Sequence, residues 1–356
     1  MDFFLPDWAP NIHPLLVHFP IAFLFVAVLF DGVGLILRSR PFWRQAAVTM
    51  YILGGIAVLA TYFAGRQAAD LVFLSTEGNA ALTEHADLAL WTVWFFGVFA
   101  IVRPLIDLTA FGKKTAVWVA MVVIPAAGLV LLFQTAEHGA QLVFRYGAGV
   151  QTIDHTLQSV VAAPSDLSIE LQSAPILSES GGWTWKPTHS SAWKSSMTFP
   201  EGGGDFSQTS IMDGGERGEV LALSTDGTVA MFVYDQPVDD IQVDFTANLD
   251  RFDGVLMFVH HVEDAGNYHF TSIGNGEMRQ GRSENGDIHL LDAKPYVPSG
   301  WVAFRVVSDG EHARAYADEA LVAHGHGPIP AAGPSGFRMN GTGTVLLDYV
   351  RVEVLR

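Results

Sequence analysis

Histidine is a costly resident of an apolar run, yet four histidines stand at the edges of such runs. They are His13 and His18 in "HPLLVHFP", His85 in "EHADLALW" and His138 in "EHGAQLVFRY". Neutral imidazole ligates zinc, copper, iron and haem iron, and it carries protons near neutral pH. Glu84 and Glu137 each precede a histidine directly. On a helix such neighbours point about 100° apart, so each Glu is better placed to serve a nearby site than its own His. Arg66 and Arg145 are the cations close to these runs, where anionic groups of a ligand would need them.

Three chemistries fit this set. One is a b-type haem, with histidines from facing helices as axial ligands and Arg66 or Arg145 near the propionates. The second is a zinc, copper or iron site built from His18, His85, His138, Glu84 and Glu137. The third is a quinone or proton site. The plain alternative is that interfacial histidines cap helix ends. His13 precedes Pro14, which suits a first helical turn, so His13 reads as a boundary residue and His18 as the stronger ligand.

The elements that must position these residues are four apolar runs of membrane-spanning length: 15–37, 46–64, 88–108 and 115–135. Short connections make them antiparallel neighbours in a four-helix transmembrane bundle. Arg38, Arg40, Arg44, Lys113 and Lys114 fall in loops on one side, with Arg103 close by; that side should be cytoplasmic. Asp2, Asp7, Asp70, Glu77, Glu84 and Asp87 fall on the other, with Arg66 as the main exception. Both ends of the bundle then face outward, and all four histidines come to the outer face. Asp31 and Asp107 lie near cytoplasmic ends, within reach of Arg38 and Arg103, and are expected to pair at the surface. No histidine stands near the cytoplasmic face, so a two-haem wire across the membrane is not expected within this chain.

The bulk composition agrees. The 356 residues are 49% hydrophobic and 16% charged, with a mean hydropathy of +0.27. The net charge of −17 is uneven: residues 1–150 carry 8 Lys and Arg against 9 Asp and Glu, and residues 151–356 carry 12 against 28. A chain without a basic footprint is not a nucleic-acid binder. Cysteine is absent, which excludes disulfides, thiolate metal sites, iron–sulfur clusters and covalently attached haem.

Residues 151–182 read as a linker, with "LSIEL" as a short strand. From Trp183 the texture becomes short alternating strands and turns, which argues a β-sandwich over 183–356. "EVLALSTDGTVAMFVYD" reads as a hairpin with Asp226-Gly227 in its turn. His260 and His261 adjoin on a strand, so alternation puts them on opposite faces. His324 and His326 share a face by their spacing, and a polar turn after a strand is the plainer reading. Trp183, Trp185, Trp193 and Trp301 could stack sugars, though a core role is the plainer reading. No spaced carboxylate motif of the glucanase kind is present, which argues against an enzyme.

"NIHPLLVHFPIAFLF", "EHADLALW" and "EHGAQLVFRYGAGV" together resemble the DUF2231 family of bacterial four-helix membrane proteins, over about residues 10–150. Relatives stand beside or fused to cytochrome-like and other redox modules, so the resemblance implies a bioenergetic setting. It supplies no assigned ligands. "DGVLMFVHHVEDAGNYHFTSIG", "GWVAFRVVSDGEHARAYADEALV" and "GPSGFRMNGTGTVLLDYVRVEVL" are similar to concanavalin-like (laminin-G or glucanase-like) jelly rolls, over about 185–356.

The expectation is therefore a multidomain chain: an all-α transmembrane bundle followed by an all-β jelly-roll sandwich in the periplasm, anchored in the bacterial inner membrane. Its function reads as a non-catalytic accessory subunit of a respiratory or photosynthetic electron-transfer complex. In that role it touches lipid and other membrane subunits, and its cofactor is haem b or a zinc, copper or iron ion. The alternative is a membrane-anchored carbohydrate-binding module or sugar hydrolase.

Overall fold

The computed structural model describes residues 11–110, 112, 114–149, 174–186, 191–202, 208–213 and 217–355. The chain divides into two compact units, 1–150 and 151–356. Asp2, Asp7, Lys113, the "LSIEL" strand and most of the expected linker lie outside the described residues.

The first unit holds α1 (His13–Leu16), α2 (His18–Ile36), α3 (Pro41–Ala69), α4 (Thr76–Asp107) and α5 (Thr115–Phe144). Four spans are long and apolar enough to cross a membrane, α1 and α2 together forming the first. Proline opens two of these segments, Pro14 in α1 and Pro41 in α3, where a missing N–H costs nothing. The Ser75 hydroxyl caps α4 by accepting from the Gly78 amide. The helices run past the apolar stretches. α4 starts twelve residues before Leu88 because Asn79, Leu82 and Thr83 are buried there, Leu82 in a small cluster with Leu74, Ala81 and Leu142. His85 and His138 therefore lie inside helices, not at their ends.

The bundle interior is Leu24, Ala27, Tyr51, Val58, Phe96, Phe99, Met121 and Leu132. Small residues set the helix spacing: a methyl group on Gly128 would meet the Phe95 ring at 2.1 Å. Of the aromatic residues on α4, Phe96 and Phe99 face inward while Trp91 and Trp94 are 67% and 63% exposed, as a lipid-facing surface requires.

Polar side chains close one end of the bundle. Arg103 is 1% exposed and grips Asp31, 0% exposed, through Nη2–Oδ1 at 2.7 Å and Nε–Oδ2 at 3.1 Å. Arg103 also bonds Asp107, which takes a second fork from Arg44 Nε at 2.8 and 2.9 Å. Arg44 caps the Gly112 carbonyl at 2.9 Å. The expected surface pairing of Asp31 with Arg38 is thus replaced by a buried pair: Arg38 bonds the Leu35 carbonyl and Thr115 instead. Two carboxylates and two guanidiniums neutralise each other, the condition for burying charge among apolar helices.

The second unit is an antiparallel β domain. Its strands are β1 (Ile176–Leu177), β2 (Trp183–Trp185), β3 (Thr198–Glu201), β4 (Gln208–Asp213), β5 (Glu219–Asp226), β6 (Ala230–Val238), β7 (Ile241–Asp264), β8 (Asn267–Gly274), β9 (Glu277–Glu284), β10 (Asp287–Pro295), β11 (Trp301–Asp309), β12 (His312–Ala317), β13 (Ala320–His326) and β14 (Gly333–Val354). β1 pairs with β2, so the end of the expected linker belongs to this unit.

Two long strands, β7 and β14, pair along most of their lengths and pass through both layers. The first half of β14 and the second half of β7 lie in one layer with β3, β6, β8, β9 and β10. Their other halves lie in the second layer with β2, β4, β5, β11, β12 and β13. Phe245 of one layer stacks on Phe258 and meets Phe337 edge-on in the other, so the core sits between them as in a β-sandwich. The expected 219–235 hairpin does not form. β5 and β6 pair with opposite halves of β14, and the Asp226-Gly227 turn carries the chain between layers. Hydrophobic alternation fixes a strand's faces but not its partner.

Candidate metal or cofactor site

The end of the bundle opposite the ion network carries a pair of matching constructions. His13 Nδ1 lies 3.1 Å from the Thr61 carbonyl, and the Thr61 hydroxyl donates to the Leu16 carbonyl at 3.2 Å. His85 Nδ1 lies 3.0 Å from the Thr135 carbonyl, and the Thr135 hydroxyl donates to the Leu88 carbonyl at 3.3 Å. The spacing repeats in the sequence. His13 and Leu16 match His85 and Leu88, three residues apart in each pair; Thr61 and Gly65 match Thr135 and Gly139, four apart.

The glycines complete the match. A methyl group on Gly65 would meet His13 Cε1 at 2.9 Å, and one on Gly139 would meet His85 Cε1 at 3.0 Å. Each imidazole lies close against the neighbouring span at a position where only glycine leaves room. Two helix hairpins, α1–α3 and α4–α5, thus carry the same set of contacts. The correspondence extends to the ion network, where Asp31 and Arg103 each stand 18 residues after their histidine.

This geometry sets the tautomer. A carbonyl only accepts, so Nδ1 of both rings carries the proton and Nε2 is the atom with a lone pair. Among the described residues no hydrogen bond is made by either Nε2. A ring whose Nδ1–H is fixed by a backbone carbonyl and whose Nε2 faces away is the arrangement of a metal ligand.

His85 lies within electrostatic reach of both His13 and His138. His138 Nδ1 sits 2.9 Å from the Gln134 carbonyl of its own helix and 3.1 Å from Glu137 Oε2. Its Nε2 lies 3.8 Å from Glu84 Oε2 on α4. Glu84 thus lies beside the histidine of a neighbouring helix. Glu137 stays beside its own histidine and also takes a bond from Gln141.

The structure brings His13, His85, His138 and Glu84 to this end and leaves His18 outside the set. His18 is exposed, five residues after His13, about 140° around the helix. The ranking of His18 over His13 is therefore reversed: Pro14 makes His13 look like a boundary residue, while its ring is the one clasped to Thr61. Arg66 and Arg145 are exposed, Arg145 lying over the Tyr146 ring. The signal that sequence reading missed is the internal repeat, which is faint because only four positions per hairpin carry it.

The second unit holds two further histidine groups. His261 has φ +51°, and the β7–β8 register breaks after His260, so the pair does not alternate. Both rings fall together, with Nδ1 atoms 2.6 Å apart. His261 Nε2 donates to the Asp239 carbonyl at 3.1 Å, which leaves its Nδ1 to accept from His260. Burial and mutual repulsion push His260 well below the ordinary histidine value, burial lowers His261, and burial followed by the His261 charge pushes His269 down to about 4. His260 and His261 are buried, with His269 half-buried beside them. His312, His324 and His326 form a second group on β12 and β13. Trp183, Trp185 and Trp193 are each 1% exposed and belong to the core, and Trp301 is covered by Arg217.

Residues 9–152 match the DUF2231 family, described as a predicted membrane protein. No curated protein matches the chain. Solved structures resemble the second unit. A carbohydrate-binding module from Bacillus subtilis has 16% identity and a TM-score of 0.36, covering 44% of this chain and 95% of that one. A Bacillus subtilis protein of unknown function with a galectin-like fold has 14% identity and a TM-score of 0.38, covering 46% and 91%. A glycosyl hydrolase from Parabacteroides distasonis, so described as putative, has 13% identity and a TM-score of 0.34, covering 46% and 90%. At these scores none of them bears on what the second unit binds.

Proposed function

We propose that this chain is a non-catalytic membrane protein whose helical unit holds a metal cofactor through His13 and His85. It would sit as an accessory subunit beside an electron-transfer complex. The observation that carries this reading is the pair of matching clasps: two hairpins each fix one imidazole with Nδ1 tied and Nε2 open. His13 and His85 would hold the iron of a haem or another metal through Nε2, and the bound group would supply the redox chemistry. The basic residues Arg38, Arg40, Arg44 and Lys114 lie at the opposite end, which favours placing the histidines at the outer face. The acidic second unit would then serve as a docking surface on that side.

A second metal reading rests on His138 and Glu84. Among the described residues only His312, His324 and His326 already converge as three ligand side chains, so His85, His138 and Glu84 would have to close on a zinc, copper or iron ion to offer it two imidazoles and a carboxylate. Detergent-purified protein separates these by absorption and metal analysis. A haem Soret band lost in His13→Ala and in His85→Ala supports the pair. Stoichiometric metal without a Soret band, lost in Glu84→Gln, supports the ion. Colourless, metal-free protein after expression with haem precursor and added metals rejects both.

Carbohydrate remains a partner for the second unit on one observation. A groove of about 110 Å³ on β7–β10 is lined by Val255, Met257, Ser272, Arg279, Ile288 and Leu290. It pairs apolar surface with hydrogen-bonding groups, the mix a sugar face needs. Glycan-array binding by the full chain, weakened by Arg279→Ala, is the expected result; an array without signal removes this reading.

A further inference from the structure

We propose that His312, His324 and His326 form a binding site for a late transition-metal ion, Zn(II) or Cu(II), on the β12–β13 hairpin. The site is separate from the helical histidines, and its argument does not depend on them.

The ladder brings the three side chains together. β12 and β13 are antiparallel, with His312 directly opposite His326. His324 lies two residues before His326 and so shares its face. Ring centroids are 4.7 Å apart for His312–His326, 4.8 Å for His324–His326 and 6.1 Å for His312–His324. One ligating nitrogen from each lies within 4.8 Å of the others. Tetrahedral zinc with Zn–N near 2.0–2.1 Å needs nitrogens about 3.4 Å apart. Side-chain rotation covers that difference, and the backbone can stay in place.

The backbone is held where the site needs it. The Asp292 carboxylate on β10 accepts the His324 amide at 2.9 Å. Gly325, between the two β13 histidines, lets Leu291 approach so closely that a methyl group there would meet its Cβ at 2.6 Å. Past the strand end, the Gly327 amide bonds the Glu311 carbonyl at 2.9 Å. These contacts tie β13, at the end of the strand order, to β10 and to the start of β12.

The donor set selects the ion. Three imidazoles without a carboxylate suit zinc and copper and disfavour calcium and magnesium, which require oxygen. His326 is exposed, so the ion would exchange with solution and keep a coordination position for water or a partner's side chain. The chemistry resembles that of open three-histidine sites, as against closed structural ones.

The experiment uses full-length protein in detergent, stripped with chelator and titrated with Zn(II) by calorimetry and with Cu(II) by electron paramagnetic resonance. One binding equivalent should persist in His13→Gln/His85→Gln and vanish, or weaken at least about 100-fold, in His312→Gln/His324→Gln. The single variant His326→Gln changes only an exposed side chain, and it should weaken binding and remove one imidazole nitrogen from the Cu(II) spectrum. Unchanged stoichiometry, affinity and spectrum in both the double variant and His326→Gln would overturn the site. Loss of metal only in the His13/His85 variant would also overturn it, while leaving the helical centre standing.

Discussion

At one end of the helical unit Asp31, Arg44, Arg103 and Asp107 lock together. At the other, about 27 Å along α4 from Arg103, His13, His85 and His138 gather with Glu84. Both ends place polar groups among apolar helices, and they satisfy them differently. In the ion network both oxygens of Asp31 and of Asp107 have a guanidinium partner, so the network stabilises the bundle and has nothing left to offer a ligand. At the histidine end the His13 and His85 rings are each fixed through Nδ1 while Nε2 keeps its lone pair. The second unit repeats the contrast: His260 and His261 bond each other and a carbonyl, whereas His312, His324 and His326 converge at a surface. A cluster's chemistry is thus read from how its ligand atoms are placed, more than from which residues are near.

The hardest test of this contrast is Arg103→Met. It strands Asp31 as a buried charge and should cost about 3–5 kcal/mol, seen as a large drop in the unfolding midpoint in detergent. Asp31→Leu added to Arg103→Met should recover most of the loss. A single variant that melts like wild type would show that the network is not structural. Next in size, Gly65→Ala and Gly139→Ala each push a methyl group into a clasped imidazole. Each should weaken metal or haem binding about 10–100-fold with little change in melting. Equal effects at the two positions would support matched roles for the two clasps; an effect at one alone would separate them.

The histidines of the second unit supply a pH test. Unfolded chain takes up protons near the ordinary histidine value of 6.5, while folded His269 does not until about 4. Protonation therefore favours the unfolded state, so this unit should lose stability as pH falls from 6.5 to 4, as followed by tryptophan fluorescence. His269→Gln should flatten that slope. Smallest of all, His18→Ala should change neither melting, beyond about 0.5 kcal/mol, nor cofactor content. A colour loss in His18→Ala equal to that in His13→Ala would restore His18 to the site.

Several features were legible from local composition. Four spans follow from hydropathy, because lipid exposure is a sum over consecutive residues. The strand faces of Ile241, Val243 and Phe245 follow from alternation, and all three are buried. The gathering of His85 and His138 at one end follows from counting spans. Helix ends were not legible, since Asn79 and Thr83 look like loop residues until neighbouring helices cover them. Nor was the choice between His13 and His18, five residues apart, because helix rotation depends on the facing helix.

By itself, then, the sequence determined a membrane bundle with histidines at one depth, followed by an acidic β domain. These are properties that each segment carries alone, through hydropathy, period and charge. Only the tertiary structure decided that Asp31 meets Arg103 and not Arg38, that β5 and β6 part company, and that Thr61 and Thr135 clasp matching imidazoles. It also brought His312 across to His324 and His326. Each of these outcomes depends on which distant segments come within hydrogen-bonding distance, and packing sets that.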